Sequence, residues 1–528
     1  MSHAPPSDRR LPALAMLLVV LAYAASLSGG WVWDDHAILE ANPALDAPLR
    51  LWTESLFGPT GTAGNVYRPL VMMTFLPGHA LGLGPMFERA VALVLHLGTV
   101  ALLARALLAM GTRPGPAWLL AAVFGVHPGA SEVVAWISAR QDLLPGLLTV
   151  GAVSAWARGR PWLAGALHAP TPFCKEGFVL AAPMLMVWSL GRRKLHPAVL
   201  LPALGAAAYL ALRFSVELTV GADLAAEPLA AFGAVVRRLP VLALWPDGAR
   251  TFPVFAPSVL LGGVGVAVGL SLLGASWGRP RVAAPTGLLL LVLPGGLAAA
   301  HTGLMSDRYL HLGVIGAVLL AGAAIGQRSL PRWLWALPVG LAVLTGMRAW
   351  QWTSDASLFA AARARDPSDA RAAFHLGHAL HRHEDDCATA VPLYQQGRDA
   401  DPRAATNLQA CLLDLGRPAD ALAETTAAAA AQPGNPNPAA NGARAAAAVG
   451  DLDAAQRWAE EATRRDPRVA RNHVLLGNIL GQRGDLGAAL AAFETALAID
   501  PEAQGAATGA AACRRRLATP APVLPSGE

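Results

Sequence analysis

Charge is scarce in this chain: 15% of its 528 residues are Asp, Glu, Lys or Arg, against about 25% in a soluble protein. With 54% hydrophobic residues and a mean hydropathy of +0.41, that deficit excludes a water-soluble fold for most of the length. Cysteine is also sparse. The four present, Cys174, Cys387, Cys411 and Cys513, show no CxxC and no Cys/His ligand spacing, so neither a structural zinc site nor a disulfide framework is indicated. Cys387 and Cys411 can pair if their domain lies in an oxidising compartment; helical packing accounts for them equally well. The net charge of +5 resides in short loops between apolar runs, a topology signal and not a nucleic-acid footprint. No small-residue cleavage site with a soluble domain behind it follows the basic start Met1 to Arg10. Leu11 to Leu27 therefore reads as a retained signal-anchor helix.

Apolar stretches of spanning length then recur to residue 350. They fall near 86–110, 117–134, 142–157, 161–173, 175–190, 197–213, 257–274, 284–301, 309–326 and 332–350. Arg9/Arg10, Arg113, Arg158/Arg160, Arg192/Arg193/Lys194, Arg279/Arg281 and Arg328/Arg332 occupy every second connection. The positive-inside rule makes those connections cytoplasmic. The result is eleven spans, a cytoplasmic N-terminus and a C-terminus on the far side. Pro228 to Trp245 is apolar but carries Arg237 and Arg238. A crossing there would put the later basic loops on the wrong side, so it reads as an outer-surface or re-entrant helix. Its two Arg side chains can meet a phosphate or snorkel to headgroups. The Ala, Arg and Gly usage points to a bacterial source, hence an inner membrane facing a periplasm.

The polar residues collect on the outer side. The first outer loop, 30–85, holds Asp34, Asp35, Glu54, Tyr67, Arg68 and His79, with short surface helices expected near Leu49 to Phe57. The next outer stretches carry His127-Pro128, Glu132, Trp136, Arg140 and Asp142, then Lys175-Glu176. Further on, 214–256 is acidic and mixed, and the last stretch ends in Asp307-Arg308-Tyr309. The cytoplasmic loops are short and nearly all Arg, so any chemistry is extracytoplasmic. A transporter would place such groups near the bilayer midplane, and here they lie at one surface.

From Gln351 the chain becomes polar, Ala-rich and repetitive. Asp366-Pro367, Asp401-Pro402, Gln432-Pro433, Asp466-Pro467 and Asp500-Pro501 mark a period of 35, 31, 34 and 34 residues between prolines. Leu476-Gly477, Gly484-Asp485, Ala489, Phe493, Ala496 and Pro501 sit where a tetratricopeptide repeat needs small residues between two antiparallel helices and a proline after the second. Four repeats follow a half-unit at Ser354 to Asp366. Such arrays bind peptides or proteins and have no chemistry of their own. The domains expected are 1–350 in the membrane, 351–517 in the repeats and a disordered tail at 518–528.

The membrane part is organised around Trp31-Val32-Trp33-Asp34-Asp35-His36. Two adjacent carboxylates just outside a span do nothing for insertion. They suit a membrane-surface active site, or Asp34 caps the next helix and Asp35 is solvated. Tyr67-Arg68-Pro69-Leu70, His127-Pro128 with Glu132 to Ser138, Arg140 with Asp142, Lys175-Glu176 and Asp307-Arg308-Tyr309-Leu310 follow in order. In that order, on one side and with a repeat tail, these motifs resemble the transmembrane and tetratricopeptide-repeat O-mannosyltransferases. Ala130, Ala139 and Asp307 depart from the residues usual there.

The resemblance implies an all-α fold: a polytopic helical bundle of C-type glycosyltransferase kind, then an α-solenoid. It implies transfer of a sugar, mannose by analogy, from a polyprenyl-phosphate carrier to Ser/Thr hydroxyls of proteins, in one inverting displacement. Asp34 would be the general base, with Asp35 positioning the acceptor or taking that role. Arg140, Lys175, Arg308, Arg68 and His127 would meet the donor phosphate. Glu132, Asp142, Glu176, Asp307 and Tyr309 would support them. No metal is required, although the Asp34-Asp35 pair has donors for a divalent cation. Each motif has a plainer use: His127-Pro128 can end a helix, Lys175-Glu176 can pair locally, and Arg308-Tyr309 can anchor at the interface. Competing functions are the same donor with a lipid or polysaccharide acceptor, and a non-catalytic scaffold whose repeats recruit partners.

Overall fold

A computed structural model describes residues 10–54, 56, 66–180, 196–215, 308 and 311–518. Among the described residues there is no strand, and the all-α expectation holds. The chain divides into two units, Met1–Arg365 and Asp366–Glu528.

In the first unit, α1 is Arg10–Tyr23, prolonged by a 3-10 turn, Ala24–Ser28. It is followed by α2 (Pro85–Ala109), α3 (Pro114–Gly125), α4 (Ser131–Ala135), α5 (Arg140–Ala157) and α6 (Pro161–His168). Then come α7 (Leu200–Ser215), α8 (His311–Ile325), α9 (Ala336–Trp350) and α10 (Asp355–Arg365). Proline opens α2, α3 and α6, where its missing N–H has no helical partner to lose. Among the described residues three runs are long and apolar enough to cross a bilayer: Arg10–Ser28, Pro85–Ala109 and Pro197–Ser215. Pro114–Gly125 with Pro128–Ala135, bent by 51°, makes a fourth if the pair is one span.

Two expected spans fold differently. The stretch near 117–134 bends at His127-Pro128, because the proline has no N–H and His127 Nδ1 accepts the Gly129 N–H at 3.1 Å. The stretch 161–173 gives only the eight-residue α6 and a 3-10 turn at Thr171–Phe173. An eight-residue helix is about 12 Å long, well short of a hydrocarbon core of about 30 Å. The spans 257–274 and 284–301, most of 175–190, the Pro228 to Trp245 helix, and the basic groups at Arg192/Arg193/Lys194 and Arg279/Arg281 lie outside the described residues.

Helix α2 packs along α5, and α1 packs against α3 and α9. Small residues set these approaches. A Cβ on Gly125 would lie 2.6 Å from Val19 and 2.9 Å from Val100. The first outer loop folds into short turns, including Pro43–Asp46, Pro48–Trp52 and Pro69–Met73. Their apolar faces, among them Ile38, Leu45, Leu51, Val71 and Phe75, bury with Ile137 and Cys174. Each such side chain contributes about 1.5–3 kcal/mol. This layer holds the outer loop down on the segment that precedes α5.

The second unit is an array of helix pairs: α11 (Ala370–His383) with α12 (Cys387–Gly397), α13 (Arg403–Asp414) with α14 (Pro418–Ala431), and α15 (Asn437–Ala448) with α16 (Leu452–Arg465). The fourth pair is α17 (Ala470–Arg483) with α18 (Leu486–Ile499), and α19 (Ala506–Ala518) closes the array. Asp369, Asp386 and Asp451 cap α11, α12 and α16 by accepting first-turn amide protons. Gly477 lies against the Phe493 ring, where a Cβ would come within 2.9 Å. The expected four repeats are therefore present. Cys387 and Cys411 are joined as a disulfide. Spacing indicates no disulfide framework and leaves this one pair open; helix pairing brings the two together across 24 residues. The tail from 519 onward lies outside the described residues.

Candidate active site

The sequence-distant motifs meet on one short segment, Glu132 to Asp142. Trp136 stacks on Trp33 (centroids 5.1 Å, 19° between planes) and on Trp352 at 5.4 Å. Its indole N–H donates to the Val32 carbonyl at 3.3 Å. Ser138 binds Asp35: its N–H donates at 2.9 Å and its hydroxyl also donates to the same carboxylate oxygen. The other Asp35 oxygen accepts the Val32 N–H at 3.1 Å. Asp35 is fully buried, and burial pushes its carboxyl up to about 6, against the Ser138 and Val32 hydrogen bonds and the Arg89 charge.

The first three residues of α5 each take a different partner. Arg140 is sealed at 0% exposure; its Nη2 meets Glu88 Oε2 at 2.6 Å, and Nη1 donates to the Thr74 carbonyl at 3.2 Å. The Phe75 ring lies 4.0 Å from its guanidinium carbon. Gln141 Oε1 accepts from Arg68, whose remaining N–H groups grip Glu176 in a bidentate pair at 2.9 and 2.6 Å. Asp142 pairs with Lys175. Upstream, Glu132 accepts from Arg308 at 3.3 Å, and that guanidinium lies 4.8 Å from the Trp136 ring centre. Arg68, Lys175 and Arg308 retain 10%, 14% and 15% side-chain exposure.

Asp34 differs from its neighbour. It is half-buried, and among the described residues its carboxylate accepts no hydrogen bond. Burial pushes its carboxyl above the usual carboxylate range, with Arg308 opposing and Asp355 adding to the shift. Trp33 sits at φ 56°, a left-handed conformation that a bulky residue adopts only where its surroundings impose it. Here Asp355 accepts the Trp33 N–H at 2.7 Å and the aromatic stack fixes the ring. The result is a sharp turn that separates the directions of Asp34 and Asp35.

Three residues that the sequence did not single out hold this arrangement. Glu88 pairs with Arg140. Arg89 donates to the carbonyls of Ala135, of Gly30 at 2.6 Å and of Trp352 at 2.8 Å, tying three segments together. Asp355 holds Trp33 and also His36, at 3.3 Å. Its hydrogen bond, opposed by burial and aided by Glu40, pushes His36 up to about 9. The available signal was a Glu-Arg pair inside an apolar run and a Ser-Asp helix start. His127 is buried and caps the turn after α3. Asp307 and Tyr309 lie outside the described residues. Glu54 and His79, which belong to none of the ordered motifs, pair with Arg50 at 3.8 Å and Asp46 at 2.8 Å.

Among known families, the tetratricopeptide repeat matches residues 441–504. Human protein O-mannosyl-transferase TMTC1 is 35% identical over 170 residues, 29% of this chain and 19% of that protein. Human protein O-mannosyl-transferase TMTC4 is 31% identical over 172 residues, 28% of this chain and 23% of that protein. The chain thus spans about a fifth of the length of these curated relatives, 19% and 23%. A solved tetratricopeptide-repeat protein, YrrB, superposes with a TM-score of 0.27 at 19% identity, over 30% of this chain and 81% of that one. The resemblance to O-mannosyltransferases expected from the ordered motifs is borne out, together with the repeats.

Proposed function

We propose that this chain is an integral-membrane glycosyltransferase that moves a sugar, mannose by similarity, from a polyprenyl-phosphate carrier to Ser/Thr hydroxyls of proteins on the non-cytosolic side. One observation carries the reading: of the two adjacent carboxylates, Asp34 alone stays partly open, within electrostatic reach of Arg308. A hydroxyl nucleophile needs a base near its proton, and a raised carboxyl pKa brings that base closer to neutrality. The leaving phosphate needs cations that are fixed in advance. Arg308, Lys175 and Arg68, each held by an acid, supply them at the surface.

Asp35 and Arg140 take positioning roles in this scheme. Both Asp35 oxygens are occupied by backbone and hydroxyl donors, so it fixes the turn that presents Asp34. Arg140 is sealed against Glu88 and orients the first turn of α5. His127 caps a turn. The displacement inverts the anomeric carbon: the acceptor oxygen attacks as Asp34 takes its proton, and the phosphate departs with the bonding pair. These residues perform the step without a metal.

The Cys387–Cys411 disulfide favours an oxidising compartment for the repeats. That agrees with a cytoplasmic N-terminus and a periplasmic array in a bacterial inner membrane. The array would bind the protein acceptor or a partner. Reconstituting the purified full chain with polyprenyl-phosphate mannose, labelled in the sugar, and a Ser/Thr-rich acceptor protein tests the reading. Label on alkali-labile Ser/Thr positions is the expected result. Label on lipid or polysaccharide alone would assign the other acceptor, and no transfer to any acceptor would favour the scaffold.

A further inference from the structure

The repeat array contains a donor cluster outside the membrane site. Four of the chain's 14 His residues, His375, His378, His381 and His383, fall on α11. His378 and His381, one turn apart, line a cavity of about 380 Å³ together with Asp385, Cys387 and Asp414. A ring nitrogen of His381 and the Sγ atoms of Cys387 and Cys411 all lie within 4.8 Å of one another. Asp414 follows Cys411 by one turn of α13, and its Oδ2 is 3.8 Å from His381 Nε2. Tyr394 Oη sits 3.2 Å from His381 Nδ1. An outer hydrogen bond of that kind fixes which imidazole nitrogen faces a metal. A disulfide needs two cysteines; it does not account for an imidazole converging on the same sulfurs, with a carboxylate 3.8 Å from that imidazole beside an open cavity.

We propose that the first repeat is a binding site for a thiophilic divalent cation, zinc by its chemistry, with Cys387, Cys411, His381 and Asp414 as ligands. Two thiolates, one imidazole and one carboxylate form a closed tetrahedral donor set of the structural type. Binding to the reduced pair releases the two thiol protons as the ion enters. The disulfide seen here is the alternative state. In forming it the two thiolates pass two electrons to the disulfide of an oxidising protein, which takes up two protons from water and leaves as a dithiol, and the ion is expelled. The two states exclude each other because the same sulfurs serve both. The ligands escaped sequence reading because two come from the α11–α12 hairpin and two from α13.

Cobalt(II) alone is the probe. The full chain in detergent, reduced anaerobically with a phosphine, should bind one Co²⁺ with thiolate-to-cobalt charge-transfer absorption, and zinc should displace it. Oxidised protein should show no such band. Cys411→Ser should abolish it, and Tyr394→Phe should weaken binding roughly tenfold. Asp414→Asn, which leaves the sulfurs in place, should shift the ligand-field bands if Cys411→Ser fails to fold. Reduced wild type without charge transfer, unchanged bands in His381→Ala or Asp414→Asn, or equal binding by the oxidised chain would overturn the assignment.

Discussion

Replacing Glu88 by Ala separates the positioning role of the buried pair from a surface role. Arg140 is 0% and Glu88 3% exposed, and their closest contact is 2.6 Å. Without the carboxylate, the acceptors left to the guanidinium among the described residues are neutral: the Glu88 and Thr74 carbonyls at 2.9 and 3.2 Å and the Thr74 hydroxyl at 3.3 Å. A buried cation left in that condition costs about 3–5 kcal/mol. That lowers the folded-to-unfolded ratio by roughly two to four orders of magnitude. Replacing both residues by Met removes charge and partner together and should come within about 1 kcal/mol of wild type, or exceed it. The readout is equilibrium unfolding of the full chain in mixed micelles as the denaturing detergent fraction rises, followed by tryptophan fluorescence. Sugar transfer should fall in both variants, because neither fixes the first turn of α5. A single variant within about 0.5 kcal/mol of wild type, or a double variant as unstable as the single, would refute the argument.

Three further outcomes follow from the same contacts. Asp35 has its folded pKa raised to about 6 from an ordinary 3.8, so the native state binds more protons in that window and stability falls as pH rises through it. The pH-dependent part is roughly 3 kcal/mol and should vanish in Asp35→Asn, as read by unfolding at stepped pH. His36 is raised to about 9 from 6.5, so its contribution is complete below 6.5 and is lost as pH rises through 9. Asp355→Asn should move that alkaline decline to lower pH. Gly477→Leu forces side-chain atoms into the Phe493 ring, already 2.9 Å from a Cβ there. It should destabilise the array by about 1–3 kcal/mol, seen as increased proteolysis of residues beyond 366 with the membrane unit intact.

The sequence carried the motifs and their order, because each is a short cluster of ionisable groups at a span end, where any charge stands out against apolar neighbours. It also carried the repeats, whose Gly, Ala and Pro positions are dictated by helix approach. The division of labour was harder to read. Asp34 and Asp35 are adjacent and chemically identical; only the left-handed turn at Trp33 and the Ser138 donors send one to the interior. Arg140 looked like a phosphate ligand because Glu88, its partner, is 52 residues away. Asp355 opens a helix, and its contact to Trp33 spans 322 residues. Long-range pairing of buried charge leaves no local pattern. The bend at His127-Pro128 was legible as the plainer use of that pair, ending a helix, since a proline after an imidazole that can cap is a local signal.

The most direct test is the rate of sugar transfer by Asp34→Asn in reconstituted vesicles, set beside wild type and measured across pH. Asn preserves shape and removes the base. Transfer should fall about 10²- to 10⁴-fold and lose the acid limb of its pH profile, while unfolding in mixed micelles stays at the wild-type midpoint. Transfer within a few-fold of wild type, with that acid limb intact, would contradict a catalytic Asp34 and with it the site described here.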